Sequence, residues 1–330
     1  MPRRFSQFVL WLGAFLSVVP AVLAQETGAG STQPAMPKLI RIIVPFSAGA
    51  SNDAIARALG APLSKRLDAS VVVENRPGAA GVIGSDVVAK SPRDGSALLL
   101  TSSTFLTAAA TQPRLPYDPI TAFAPVAIVG QNPSVLAVSS SAPFRTATEL
   151  FAAARAKPGE ITYGSAGVGS VGHMATELLS AAAKVQMTHV PYKGAANAAI
   201  DLAGGQIQVM ISSYATLSAF LKTGKVRLLA VTSKQPHPSF PDVPPLIATV
   251  PGFVNEVWVG VFAPAGAPAR FIERLNREIN EISASPELKP LLESDGMMPA
   301  PMTLSAFSAR VKHELAQWKQ IAAARKIVAE

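Results

Sequence analysis

The chain has 330 residues, of which 49% are hydrophobic; it carries 29 basic and 21 acidic side chains and no cysteine. Without cysteine, disulfides and a lipid-bearing cysteine are both excluded, so the fold must stand on its apolar core. The basic residues are scattered, as at Lys65-Arg66, Lys222 and Lys225, and no dense basic cluster interleaves with aromatics, which argues against a nucleic-acid partner.

The first 24 residues read as a cleaved export signal. Arg3 and Arg4 supply a positive start, Phe8 to Val19 an apolar stretch, and Val22-Leu23-Ala24 a small-residue cleavage site. The apolar stretch is shorter than the ~20 residues of a membrane span. Removing Arg3 and Arg4 leaves 27 basic against 21 acidic residues, a net +6. Such a field suits an anionic ligand and equally serves solubility. Residues 25–37 (QETGAGSTQPAMP) then read as a flexible tether.

Beyond the tether, short apolar runs alternate with helical patterns. Strands are predicted at 39–45, 70–75, 97–101, 125–130, 135–139, 161–165, 187–191, 207–212, 227–232 and 258–263, and helices at 53–67, 81–90, 148–157, 172–184, 195–203, 268–283 and 303–324. This alternation predicts an α/β fold with mainly parallel sheets covered on both faces. The continuous apolar run of Leu39–Val44 fits a strand buried on both sides. Phe271, Ile272, Leu275, Ile279 and Ile282 draw one apolar stripe along a helix that Ser285-Pro286 ends.

Two loops share one design. A strand runs into Pro45-Phe46-Ser47-Ala48-Gly49-Ala50-Ser51-Asn52-Asp53 and then a helix; a later strand runs into Ser165-Ala166-Gly167-Val168-Gly169-Ser170-Val171-Gly172-His173 and again a helix. Small residues let backbone N–H groups approach a ligand, and each helix N-terminus adds unpaired donors and partial positive charge. Together they make an anion site of backbone. The competing reading is that Ser51, Asn52 or Ser170 simply caps its own helix.

Other chemistries find little support. Gly167-Val-Gly169-Ser-Val-Gly172 matches the dinucleotide pattern, but the acidic residue expected about 20 positions later is absent. Lys193 leaves an NADP-type enzyme as the remote alternative. No G-x-S-x-G elbow occurs, and the four histidines include no His-x-x-x-His pair. His173 alone follows the second loop closely enough to be placed near a site, against a packed role. No catalytic residue, metal or cofactor is expected.

Several segments resemble one family. Pro45-Phe46…Gly49…Asp53…Arg57, Val72-Val73-Glu74-Asn75-Arg76-Pro77-Gly78-Ala79-Ala80-Gly81…Gly84, Leu115-Pro116-Tyr117-Asp118-Pro119, His189-Val190-Pro191-Tyr192-Lys193-Gly194 and Pro241-Asp242-Val243-Pro244 are similar, in collinear order, to signatures of the Bug-type receptors of tripartite tricarboxylate transporters. The resemblance implies a type II periplasmic-binding-protein fold: two lobes, each a mixed sheet flanked by helices, with the ligand in the cleft between them. On this chain lobe 1 would be 38–132 with 254–330, and lobe 2 133–253. It implies a periplasmic receptor that closes on a small carboxylate (dicarboxylate, tricarboxylate, amino acid or aromatic acid) and docks, as a monomer, on membrane permease subunits. A sensor protein as partner is the alternative.

Carried over residue by residue, Ser47, Ala48, Gly49, Ser51, Asn52 and Asp53 match the first ligand loop. Ser165, Gly167, Gly169, Ser170 and His173 match the second. Ser102, Ser103, Tyr192, Lys193, Gly194, Ser212 and Ser213 match strand ends rimming the cleft. Two departures stand out: the first loop lacks the family's two prolines and two of its glycines, so less pre-organisation is expected, and Tyr214 follows the serine pair, which points to an aromatic or larger acid.

Overall fold

The computed structural model describes Met1 and residues 37–329; nearly all of the segments read from sequence as an export leader and a tether lie outside the described residues. The strands are β1 (Leu39–Val44), β2 (Ser70–Asn75), β3 (Ala97–Ser102), β4 (Phe123–Pro133), β5 (Val135–Ser139), β6 (Thr162–Ser165), β7 (Thr188–Pro191), β8 (Val209–Ser212), β9 (Val226–Val231) and β10 (Glu256–Pro264). The α-helices are α1 (Ser51–Leu67), α2 (Val82–Ala89), α3 (Thr104–Thr111), α4 (Ala147–Ala156), α5 (Val171–Ala183), α6 (Ala195–Ala203), α7 (Tyr214–Lys222), α8 (Ala269–Ser283), α9 (Lys289–Ser294) and α10 (Leu304–Arg325). No helix among the described residues is long and apolar enough to cross a membrane.

The strands form two five-stranded sheets, ordered β2-β1-β3-β10-β4 and β7-β6-β8-β5-β9. The two orders are the same pattern. In each, one strand in the fourth position is antiparallel to both neighbours, β10 against β3 and β4, and β5 against β8 and β9. The sheets are therefore mixed, with four strands running one way. Each reversed strand is the first after the chain passes from one sheet to the other, so it enters from the side where the others end.

Both faces of each sheet are covered, as the apolar strands demand. Ile40, Ile42 and Val44 of β1 pack with α1, α8 and α9, while Ile43 faces Phe105, Phe307 and Trp318 of α3 and α10. The predicted α8 stripe is buried in the first of these layers. In the second sheet, Leu136 and Val138 of β5 pack with α4 and α5, and Val135 and Ala137 with α6 and α7.

The two connecting passages are tied together. The Thr232 N–H and hydroxyl both donate to the Ser134 carbonyl (3.0 and 2.9 Å), and the Asn255 N–H donates to the Thr232 carbonyl (2.9 Å). Away from them, Met174 of α5 packs into the layer of Leu315, Trp318 and Ile321. Three helices, α3, α7 and α9, were not predicted. Each is short; α3 (TFLTAAAT) and α7 (YATLSAFLK) are rich in Thr, Ser and aromatic residues with weak helix preference. Burial of Phe105, Leu106 and Leu217 holds the last two in place.

Candidate functional site

In an open α/β sheet, ligands bind beyond the carboxyl ends of the parallel strands. At that end β1, β3, β6, β7 and β8 each run within a few residues into a helix, α1, α3, α5, α6 and α7. The candidate residues fall on those connections. Ser103 and Ser213, read from sequence as strand-end serines, occupy the N-cap positions of α3 and α7. At these two ends a single serine joins strand to helix, without a small-residue loop, and only Ser213 caps its helix with its side chain.

In the first loop, Ala50 holds the N-cap position and no side chain caps α1, so Ser51 and Asn52 are not capping residues. Asp53 organises the loop. Its carboxylate is 4% exposed and accepts from the Gly49 N–H (2.9 Å), the Asn75 amide (2.9 Å) and Arg57 Nε (3.1 Å). The Asn75 amide also donates to the Phe46 carbonyl (3.2 Å). Hydrogen bonds from Arg57 first, then from the Gly49 N–H, hold the Asp53 carboxyl down at about 2. These bonds tie the loop to α1 and to the end of β2. Gly49 has φ +81°, a conformation that glycine adopts without strain. Ser47, Ala48 and Gly49 are exposed.

The second loop is built differently. The Ser170 hydroxyl caps α5, accepting from the His173 N–H (3.4 Å), and His173 Nδ1 in turn accepts from the Gly169 N–H (3.1 Å). Ser165, fully buried, bridges the Gly167 backbone and His189 Nε2 (2.7 Å). The imidazoles of His173 and His189 lie stacked, centroids 3.8 Å apart, and His189 stacks on Tyr163, whose hydroxyl donates to Glu177 (2.6 Å). Gly169 has φ +75°, and a Cβ there would lie 2.7 Å from Thr111 Oγ1 of α3, so this close approach admits only glycine. Beside the pair, a cavity of about 380 Å³ is lined by Val168, His173, Glu177, His189, Arg325 and Lys326 among others.

Among the described residues, the N–H groups of Ser47, Ala48, Ser51 and Asn52 in the first loop take no internal acceptor. The same holds for Ala166, Val168, Val171 and Gly172 in the second. These are the donors available to a ligand. The hydroxyls differ in what remains to them. Tyr192 donates to Asp201 (2.7 Å), Ser102 to Thr104 (3.1 Å), and Ser213 pairs with Thr216 (2.8 Å). Ser103 Oγ is buried and has no partner. Lys193 is exposed and in no ion pair, Gly194 opens α6, and Ser212 ends β8 half-buried. No hydrogen bond joins the first loop to the second among the described residues; each stands on its own sheet. His189, Asn75 and Thr111 were not picked out from sequence. Asn75 and His189 lay inside the quoted segments, but nothing in their spacing marked a role.

Burial holds both imidazoles down at about 4, below the ordinary 6.5, and His173 lowers His189 further. The histidines of the unfolded chain therefore take up protons first. The contribution of the neutral pair is complete above about pH 6.5 and is lost as pH falls from there to 4. At about 1.4 kcal/mol per unit, discounted for coupling within the pair, the loss is on the order of 3 kcal/mol. Thermal melts from pH 7 to 4 are expected to show a corresponding fall that His173→Gln and His189→Gln together make shallower, the remainder coming in part from His237, which burial also lowers. An equally steep fall in that double variant would contradict this assignment.

Comparison with known proteins gives a consistent picture. The family described as "Tripartite tricarboxylate transporter family receptor" matches residues 55–327. Protein BugT of Bordetella pertussis is 35% identical over 93% of this chain and 94% of its own. A solved TctC solute-binding protein from Polaromonas superposes with a TM-score of 0.78 at 30% identity, covering 88% of this chain and 99% of that one. Rpa4515 of R. palustris, solved with adipate, does so with a TM-score of 0.72 at 32% identity, over 89% and 99%.

Proposed function

Because this chain belongs to the tripartite tricarboxylate transporter receptor family, a family of ligand-binding receptors and not of enzymes, we propose that it is a periplasmic receptor that captures a small carboxylate by hinge closure and delivers it, as a monomer, to membrane permease subunits. Residues 38–132 with 254–330 form the lobe that first receives the ligand, and 133–253 the lobe that closes over it. Bending falls on the two passages tied at Ser134, Thr232 and Asn255.

The observation that carries this reading is the set of unpaired backbone N–H groups at the starts of α1 and α5, on loops of small residues without a fixed cation. Such donors suit a carboxylate, since each charge-assisted hydrogen bond contributes roughly 1.5–3 kcal/mol. A micromolar affinity, about −8.2 kcal/mol, is then within reach of four to six donors after ordering costs. The adipate found in Rpa4515 supports the same ligand class.

Ligand at 100 times its dissociation constant adds about 2.7 kcal/mol to the native state, a rise in melting temperature on the order of 5–10 °C for a chain of this size. In a thermal-shift panel of aliphatic and aromatic mono-, di- and tricarboxylates and amino acids beside sugars and nucleotides, one carboxylate class is expected to stand out and its amides to do nothing. A sugar or nucleotide giving the only large shift would overturn the proposal.

A further inference from the structure

The start of α1 is not electrostatically equivalent to the other helix starts at this end of the sheets. Asp53 lies in its first turn, paired with Arg57, whereas α3, α5, α6 and α7 carry no acid there. A second carboxylate reaches the same place from far along the chain: Asp295, in the segment after α9, accepts a hydrogen bond from the Ser51 hydroxyl. A carboxylate only accepts, so the single Ser51 proton is committed and that hydroxyl turns lone pairs outward. Asp295 is half-buried, accepts from no other side chain and is in no ion pair among the described residues, while nearby Glu293 is paired with Lys289 (3.8 Å). Asp295 also sits at the C-terminal end of α9, where the backbone carbonyls add negative potential.

An independent sign of a ligand lies on the neighbouring strand. β1 and β3 run parallel and paired, so Ser103 stands just beyond the strand beside the first loop. Its hydroxyl is 3% exposed and unpartnered, which in a native fold calls for a polar occupant. Ser103 and the free N–H groups of the first loop thus offer donors, while the side chains of Ser51 and Asp295 turn acceptors to the same place.

Resting on the carboxylate-receptor reading, we propose that the Ser51–Asp295 corner selects for a hydrogen-bond donor on the ligand, an ammonium above all, close to its carboxylate. The preferred ligands are then amino carboxylates, followed by hydroxy carboxylates, ahead of plain di- or tricarboxylates. Asp295 supplies the charge, and Ser51 holds it in place and lends a second acceptor.

The test is calorimetric titration with matched pairs: adipate and 2-aminoadipate, glutarate and glutamate, 3-phenylpropionate and phenylalanine. Wild type is expected to favour the amino member tenfold or more in at least one pair. Asp295→Asn keeps the shape and the Ser51 contact but removes the charge; it is expected to reduce that preference at least tenfold while leaving the plain acid within about threefold. An unchanged preference in Asp295→Asn, or plain acids binding as tightly as their amino partners in every pair, would overturn the proposal and leave the carboxylate receptor standing. No binding of any of these acids to wild type would overturn both.

Discussion

Asp53→Ala is expected to lower the melting temperature by roughly 5–12 °C and to abolish the ligand-induced shift. Asp53 is buried, and its two oxygens take the Gly49 N–H, the Asn75 amide and the Arg57 guanidinium. Alanine takes away the acceptor of the exposed Gly49 N–H and one of the two acceptors of the half-buried Asn75 amide, which keeps the Phe46 carbonyl, so each loss falls at the low end of about 1–3 kcal/mol. Arg57 is half exposed and returns to water, which limits the total to about 2–3 kcal/mol, or 2–4 °C for each in a chain of this length. The effect on binding is larger, because without the clamp the N–H groups of Ser47 and Ala48 no longer point together. The pH dependence identifies the carboxylate. Its pKa is lowered from 3.8 to about 2, so its contribution is complete above about pH 4 and disappears as pH falls from 3.8 to 2, below the histidine window. Asp53→Ala should therefore make the fall at pH 2–4 shallower, Asp94 and Asp118 still contributing there, and leave the fall between 6.5 and 4 intact. Normal ligand binding by this variant would show that the loop needs no clamp.

Ser170→Asp is expected to weaken carboxylate binding by two to three orders of magnitude while leaving the unliganded melting temperature within about 2 °C. Ser170 caps α5 by accepting from the His173 N–H, and aspartate caps as well as serine does. No acid lies in the first turn of α5, so the new charge meets a favourable helix end. A ligand carboxylate held by the Val171 and Gly172 N–H groups would stand about 4 Å from it, a repulsion of about 4 kcal/mol at an effective dielectric constant near 20. Ser170→Ala supplies the contrast: it loses the cap, about 1 kcal/mol, and should bind within about tenfold of wild type. If Ser170→Asp binds as wild type does, the start of α5 does not hold the anion.

The sequence by itself determined the order of the ten strands and of seven of the ten α-helices, because hydrophobic period and breaker residues are local properties. The apolar run of β1 and the stripe of α8 lie in the core where their patterns place them. It also carried the strand–small loop–helix design of both loops, since backbone anion sites need only small residues and a helix start, and these are written contiguously. What it could not carry was anything made by residues distant in the chain. α3 and α7 have weak local preference and form because apolar residues on them are buried, which put Ser103 and Ser213, one of each strand-end pair, at helix starts. The histidines show the same limit: positions 173 and 189 have no ligand-like spacing, yet β7 pairs with β6, which leads into α5, and His189 comes to stack on His173 at the start of that helix. The hydroxyl of Ser51 looks like a donor in the sequence. Only the return of the chain after α9, 244 residues later, brings Asp295 to it and makes that corner an acceptor. Proton direction in a hydrogen bond is set by the partner, and the partner is chosen by tertiary packing.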